Sequence, residues 1–189
     1  MISSETPSLE SVNVPEGGFR VIVADPPWTV KRGPHWNTCG TSRDLEYPTL
    51  TLDAISRMQV ESLAADDSVL FLWTINAYLE QTYEIARRWG FEPKTLLTWA
   101  KKPRGLGLGG AFVQTSEHCL YCRRGSLKAK RRIDSTWWTW SRGRHSQKPE
   151  ALQDLVESVF DGPYLELFAR RVRPHWSAWG NEVLDVVTT

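Results

Sequence analysis

Residues 20–28, which read RVIVADPPW, decide how the rest of the chain is interpreted. Residues 21–24 are apolar and mostly β-branched, the pattern of a strand buried on both faces of a parallel sheet. Proline cannot donate to a sheet ladder, so the strand must end at Asp25. We therefore expect the Asp25 carboxylate at the carboxyl edge of the sheet, where open α/β sheets bind ligands.

Four consecutive residues after this strand form a candidate catalytic group: Asp25, Pro26, Pro27 and Trp28. They combine an acceptor carboxylate, stiff carbonyl groups and a flat aromatic face, which together suit a planar group that carries an NH2. The carboxylate and a carbonyl would accept the two N–H bonds and aim the nitrogen lone pair at an electrophile. The alternative is a strand followed by a proline-rich turn with a packed tryptophan, but the position directly after a buried strand favours the functional interpretation.

Alternation of strand and helix patterns along the chain predicts an α/β fold with a mostly parallel, twisted sheet and helices on both faces. Thr51 and Asn76 are predicted to cap helices at their N-termini, and Gly90 is predicted to end the second helix. Further strands are expected at residues 68–73, 94–100, 117–123, 164–168 and 177–180, and a third helix after Pro149.

Length and composition predict one domain and no membrane span. The 189 residues are enough for a single core, which we place at residues 19–189 after a poorly ordered N-terminal arm at residues 1–18. The arm lacks the apolar core of a signal peptide, so we expect a soluble, intracellular, cytoplasmic protein. Three cysteines do not form a disulfide framework, and Cys119 and Cys122 are expected to be core thiols; no metal site is predicted.

The charge of the chain is concentrated in one segment. Its net charge is +1, but residues 123–148 hold nine Lys or Arg and one acid, which leaves 14 of the 23 basic and 21 of the 22 acidic residues elsewhere. Basic side chains mixed with aromatic ones suit a nucleic-acid strand, so this segment is predicted to contact substrate, although a solvated loop is the alternative. The residues assigned to that contact are Lys130, Arg131, Arg132, Trp137 and Trp138.

A long segment without periodicity, residues 31–46, leaves the same edge of the predicted sheet. Loops of that length are usually binding loops or lids, with a disordered surface loop as the alternative. A base removed from a duplex needs an aromatic stacking partner, and Trp28, Trp36 and Tyr47 are the candidates.

A second group of polar residues suits a nucleoside that carries an amino-acid tail. Glu166, near the end of a late strand, can accept hydrogen bonds from ribose hydroxyls, and Arg170 can hold ribose or a carboxylate. Lys148 can bind a carboxylate as a point charge, and Asn181 can read an adenine edge or a hydroxyl. Neither glycine-rich phosphate motif occurs, so dinucleotide and phosphate-loop sites lack support.

With these motifs in order, the sequence resembles the MT-A70-like N6-adenine methyltransferases, which use S-adenosyl-L-methionine. The resemblance covers nearly the whole chain and departs from some relatives at Arg171-Val172, where they have His-Asn. The matching elements are Ala24-Asp25-Pro26-Pro27-Trp28, Tyr47-Pro48-Thr49-Leu50, Leu70-Phe71-Leu72-Trp73 with Asn76, Trp89-Gly90-Phe91, Glu117-His118, His145-Ser146 with Lys148-Pro149, Glu166-Leu167-Phe168-Ala169-Arg170, and residues 176–182.

The resemblance implies a Rossmann-like methyltransferase domain in which Asp25 serves the target amine and lies beside the methionine amino group of the cofactor. It assigns cofactor contacts to Asp25, Lys148, Glu166, Leu167, Phe168, Arg170, Asn181 and Glu182. The implied reaction is methyl transfer to N6 of adenine in nucleic acid, with DNA slightly favoured over RNA. Two alternatives stay open, a nucleic-acid-binding subunit with little activity and a protein glutamine amide N-methyltransferase. Whether the chain acts alone or as a homo- or heterodimer also stays open.

Overall fold

The computed structural model describes residues 2–29, 48–101, 111–141, 147–180 and 183. The helices are α1 (Leu52–Ser56), α2 (Leu79–Arg88) and α3 (Ala151–Val159), with 3-10 turns at Val60–Leu63 and Asn76–Tyr78. The strands are β1 (Ile2–Ser3), β2 (Phe19–Ala24), β3 (Thr49–Leu50), β4 (Ala64–Thr74), β5 (Glu92–Ala100), β6 (Ser116–Arg124), β7 (Trp137–Trp138), β8 (Tyr164–Leu167) and β9 (Trp176–Trp179).

Seven of these strands form one sheet in the order β7-β5-β6-β4-β2-β8-β9. The pairs of β2 with β4, β2 with β8, β8 with β9 and β5 with β7 are parallel. Strand β6 runs antiparallel to both of its neighbours, β4 and β5. The mostly parallel sheet with helices confirms the predicted Rossmann-like α/β fold.

Alternation along β2 separates two apolar cores. Ile22 and Ala24 pack with residues of α1 and α2 on one face, whereas Val21 and Val23 pack with α3 on the other. Because both faces are covered, β2 needs apolar residues at every position, which explains the continuous run in the sequence. The site described below lies at the carboxyl end of this strand, on the α3 face.

Two of the three predicted helix boundaries are confirmed. Thr51 accepts a hydrogen bond from the Ala54 N–H at 3.1 Å, and Gly90 follows α2 with a φ of +81°. The prediction for Asn76 is wrong, because Asn76 opens a 3-10 turn and α2 begins only at Leu79. The side chain of Thr82 ties this turn to the helix by donating to the Tyr78 carbonyl at 2.7 Å.

Part of the N-terminal arm contacts the domain. Strand β1 pairs with β3 in a two-stranded parallel ladder, and the Leu9 side chain is buried in the core on the α1 and α2 face. The domain boundary at residue 18 stays a prediction. None of the helices in the described ranges has both the length and the apolar character needed to cross a membrane.

Candidate active site

Asp25 is the first residue after the central strand β2, and the turn that follows it is held by backbone bonds. The Asp25 N–H donates to the Leu167 carbonyl at 3.4 Å, a long bond that joins the ends of β2 and β8. The Pro26 carbonyl accepts from the Trp28 N–H at 2.8 Å, and the Pro27 carbonyl accepts from the Leu50 N–H at 3.0 Å. Each proline carbonyl thus already accepts one hydrogen bond and keeps a second lone pair.

Trp28 anchors this turn to the core. Its indole Nε1 donates to the Trp73 carbonyl at 3.1 Å, and its ring centroid lies 5.7 Å from that of Tyr78. Only 6% of the residue is exposed. The predicted stacking of a substrate base on Trp28 stays a prediction, and in this structure most of the ring is covered by protein.

Lys148 lies three residues before the first residue of α3, and its side chain reaches the Asp25 carboxylate. Its Nζ is 2.7 Å from Asp25 Oδ1 and 2.9 Å from Oδ2, and it lies 5.5 Å from the centroid of the Trp73 ring. Burial by itself would lower the pKa of Lys148, but the carboxylates of Asp25 and Glu117 outweigh it and raise that pKa above its ordinary value. Lys148 is therefore a fixed, fully charged cation at the predicted site.

Glu117 and Lys101 extend this contact into a cluster of two acids and two lysines. Glu117 Oε2 is 3.3 Å from Lys148 Nζ, at ion-pair distance but without hydrogen-bond geometry, and Glu117 Oε1 is bound by Lys101. Burial raises the pKa of Glu117, but Lys148 and Lys101 outweigh it, so the net pKa lies below the ordinary value. We call Asp25, Lys148, Glu117 and Lys101 the charged quartet.

Two members of the charged quartet have no role in the site predicted from the sequence. Lys101 belongs to none of the sequence motifs, and Glu117 appears only as part of the Glu117-His118 motif. For Glu117 the reason is strand direction. Glu117 is near the start of β6, a strand whose orientation the sequence pattern does not indicate. Because β6 is antiparallel, its start lies at the same edge of the sheet as the carboxyl ends of β2 and β4.

Glu166 lies on β8 beside Val23, on the face of the sheet that α3 covers. Its Oε1 accepts a hydrogen bond from the Gln153 amide of α3 at 3.2 Å. Burial raises the pKa of Glu166 above its ordinary value, the charge of Asp25 adds to this rise, and Arg171 opposes it. The structure thus brings the predicted residues Asp25, Lys148 and Glu166 to one edge.

The other predicted cofactor residues end β8, follow it or lie outside the described residues. Leu167 is buried in the core and pairs with Ala24 and Trp179. Phe168 has a φ of +62° and packs edge-on against Trp179, with ring centroids 5.4 Å apart. Arg170 is half-buried in the turn that follows. Asn181 and Glu182 are outside the described residues.

The basic and aromatic segment is divided between the two ends of the sheet. Trp137 and Trp138 form β7 beside the carboxyl end of β5, with Trp137 61% exposed and Trp138 stacked on Trp140 at 5.1 Å. Lys130 instead donates to the Glu157 carbonyl and to Asp161 near the C-terminus of α3, away from the charged quartet.

Arg131 and Arg132 are exposed in the same segment, and Arg132 Nε lies 3.2 Å from Asp134 Oδ1. The substrate roles of these residues stay predictions. The two remaining aromatic candidates, Trp36 and Tyr47, lie outside the described residues.

The prediction that Cys119 and Cys122 are core thiols is confirmed. Both are free and buried. They are three residues apart on β6, so they face opposite cores and cannot ligate one metal ion together. Burial raises the pKa of both thiols, to about 12 for Cys122.

Comparison with known proteins places this site in a family. The family model MT-A70 matches residues 19–182. The Type II methyltransferase M.MunI of Mycoplasma sp is 30% identical over 190 residues, which cover 91% of this chain and 81% of that protein. The human N(6)-adenosine-methyltransferase catalytic subunit METTL3 is 29% identical over 177 residues, and a putative N(6)-adenosine-methyltransferase MT-A70-like protein of Medicago truncatula is 29% identical over 179.

These matches differ in how much of each relative they cover. The match to the human protein covers 88% of this chain but only 28% of that protein, and the match to the Medicago protein covers 90% of this chain but only 27% of that protein. The family match covers most of the chain and includes the strand, the Asp25 turn and the Lys148 and Glu166 positions. The resemblance inferred from the sequence motifs is confirmed, and the chain belongs to the MT-A70 family of methyltransferases.

Proposed function

We propose that this chain transfers the methyl group of S-adenosyl-L-methionine to N6 of an adenine in nucleic acid. The observation that carries the proposal is the contact of the Asp25 carboxylate with Lys148 at the end of the central strand, with Glu166 on the adjacent strand. This arrangement offers one anion, one cation and a second carboxylate at a single edge.

The charges at this edge fit the proposed cofactor. An amino-acid tail carries an ammonium and a carboxylate, so it can bind Asp25 through the first and Lys148 through the second without leaving a charge unpaired. Glu166 can then accept hydrogen bonds from ribose hydroxyls. When bound, the cofactor would supply an electrophilic methyl group on a positively charged sulfur.

The residues of the Asp25 turn would hold the acceptor amine. The Asp25 carboxylate and the remaining lone pair of the Pro26 carbonyl can accept its two N–H bonds. The Lys148 ammonium, 2.7 Å from Asp25 Oδ1, holds this carboxylate in place at the end of the strand. Methyl transfer would leave a positive charge on the amine nitrogen, and Asp25 or water would then accept its proton. Positioning supplies most of the rate in this scheme.

A pocket of about 320 Å³ beside Lys148 supports an acceptor site next to the charged quartet. Its volume falls within the usual range of small-ligand sites. The stacked pair of Trp138 and Trp140 borders the same side of the sheet, and Trp137 presents an exposed ring there. The residues that line the pocket are Trp140, Ser141, Gln147, Lys148, Pro149, Glu150 and Ala151.

One labelling experiment tests the proposal. The protein is incubated with methyl-labelled cofactor and with single-stranded DNA, duplex DNA, RNA and a mixed protein pool, and each pool is then separated. We expect label in nucleic acid, recovered as N6-methyladenine after digestion, and the labelled pool identifies the substrate. Label only in protein would overturn the proposal in favour of amide methylation. Nucleic-acid binding without label in any pool would overturn it in favour of a binding subunit.

A further inference from the structure

Gln153 is a polar residue on the buried face of α3. It is 2% exposed and lies among Leu152, Val156 and Val159, which form the apolar contact of this helix with the sheet. A buried amide costs folding free energy unless its hydrogen bonds are made. Within the described residues, no group donates a hydrogen bond to Gln153 Oε1. Among the described residues, the buried Gln153 amide is therefore only half satisfied.

The other end of the amide has a defined partner. Gln153 Nε2 lies 3.2 Å from Glu166 Oε1. Because an ionised carboxylate can only accept, the NH2 group must face Glu166, and this fixes the orientation of the whole amide. This hydrogen bond occupies Oε1 of Glu166, and the described residues provide no hydrogen-bond donor to Oε2, which can accept from a ligand.

We propose that Gln153 is a positioning residue, whose amide holds the Glu166 carboxylate in the orientation that accepts a ribose hydroxyl of the cofactor. The inference rests on the proposed function, because it takes Glu166 to be the ribose acceptor. Outer partners of this kind fix the direction and basicity of the group that contacts the ligand.

The charged surroundings of Glu166 provide a readout that packing alone would not change. Burial raises the pKa of Glu166, Arg171 and Arg173 oppose the rise, Asp25 adds to it, and the Gln153 hydrogen bond lowers it. Loss of the amide N–H therefore raises this pKa further. An ionised Glu166 is the better acceptor for hydroxyls, so the pH at which cofactor binding weakens on acidification should move upward.

The test uses the unbranched isostere Gln153→Met in the full chain and the demethylated cofactor, S-adenosylhomocysteine, as the probe. We expect calorimetry at pH 7 to show about 3- to 10-fold weaker binding, the usual scale for the loss of one hydrogen bond. The acid midpoint of binding should rise. The melting temperature should change little, because removal of the unpaired Gln153 Oε1 offsets the loss of the hydrogen bond to Glu166.

Gln81→Met is the matched control. Gln81 is also a helical glutamine with a buried Oε1 that no described group satisfies, but it lies on α2, on the other face of the sheet. It should leave both affinity and acid midpoint unchanged. In a Glu166→Gln background, Gln153→Met should weaken binding less than twofold, because its effect passes through the Glu166 carboxylate.

Unchanged affinity and midpoint in Gln153→Met, with binding by the wild type, would overturn the inference and leave the proposed function standing. No binding of S-adenosylhomocysteine by the wild type would instead overturn the proposed function. If Gln153→Met does not fold, Gln153→Leu provides the same comparison with a side chain typical of α3.

Discussion

Glu117 and Glu166 are two half-buried carboxylates on the same face and near the same edge of the sheet, yet their pKa values move in opposite directions. Burial raises the pKa of each. At Glu117, two lysines outweigh burial and the net pKa falls. At Glu166, the hydrogen-bond partner is a neutral amide, and burial prevails. The contrast shows that the neighbouring groups of these two glutamates, more than how deeply they are buried, set their charge state.

The same contrast divides the candidate site into two halves. The charged quartet of Asp25, Lys148, Glu117 and Lys101 balances its own charges before any ligand binds. Glu166 has a higher energetic cost of ionisation, which hydrogen bonds from neutral hydroxyls would reduce. We therefore expect the amine-binding half to be assembled in advance and the ribose-binding half to be completed by the cofactor.

The largest expected effect is the loss of methyl transfer when Asp25, the proposed catalytic residue of the charged quartet, is removed. Asp25→Ala should reduce methyl transfer by about 10³-fold or more, because positioning of the amine is lost. The fold should persist, since Lys148 keeps Glu117 as a partner. Turnover with labelled cofactor and a thermal melt measure the two effects. Near-normal turnover with adenine still the acceptor would contradict the role of Asp25.

Removal of Lys148 tests the cation that both Asp25 and Glu117 share. Lys148→Ala should weaken binding of S-adenosylhomocysteine by about 1–3 kcal/mol, the scale of a charge-assisted hydrogen bond. It should also raise the pKa of Glu117, because Lys148 lowers it in the wild type. Calorimetry at several pH values measures the affinity.

Lys130→Ala is the control for this experiment. Lys130 is also ion-paired, at 2.9 Å from Asp161, but it lies near the other end of α3. It should leave cofactor affinity unchanged. Equal affinities in the two variants would place the cofactor elsewhere.

The two glutamates themselves give opposite predictions for stability. A lowered pKa at Glu117 contributes stability above its ordinary value of 4.5, and this stability is lost as the pH falls through the folded value. A raised pKa at Glu166 contributes stability below 4.5, and this stability is lost as the pH rises through the folded value. At pH 7, Glu117→Gln should therefore destabilise the fold, by about 1–3 kcal/mol, and Glu166→Gln should stabilise it by a smaller amount.

Denaturant melts at pH 7 and at several pH values below 4.5 measure this difference. The two variants should approach the wild type at the lower pH values, where the native carboxyls are more protonated. Stabilisation by both substitutions at pH 7 would show that burial, and not the lysines, governs Glu117. Destabilisation by both would contradict the raised pKa of Glu166.

Much of the site could be predicted from the sequence because it depends on strand ends. The apolar run of β2 and the prolines after it fix where Asp25 lies, and the motif before α3 supplies Lys148. Strand direction and packing partners leave no comparable local signal. Glu117 reaches the edge only because β6 is antiparallel. Lys101 follows the carboxyl end of β5, but nothing in the sequence indicates that it pairs with Glu117. Gln153 interrupts an otherwise apolar helix face without indicating its partner.

The smallest expected effect concerns the basic segment, residues 123–148. Here too the partners of each charged side chain matter, because a cation that is already paired within the protein is less available to bind phosphate. Lys130 is held by Asp161 and the Glu157 carbonyl, whereas Arg131 is exposed. Arg132 contacts Asp134, but both side chains are highly exposed, at 91% and 87%, so that pair is weak. We therefore expect the two arginines, rather than Lys130, to bind phosphate groups.

Removing one cation that binds a phosphate should reduce the slope of log affinity against log salt by roughly one unit. Arg131→Ala with Arg132→Ala should thus flatten the slope by about one to two units for every nucleic-acid sequence. Lys130→Ala should change it little, because the Lys130 ammonium is already engaged with protein oxygens. Filter binding at several salt concentrations measures the slopes. A slope flattened as much by Lys130→Ala as by the arginine pair would contradict this expectation, and the wild-type slope in both variants would remove this segment from the substrate path.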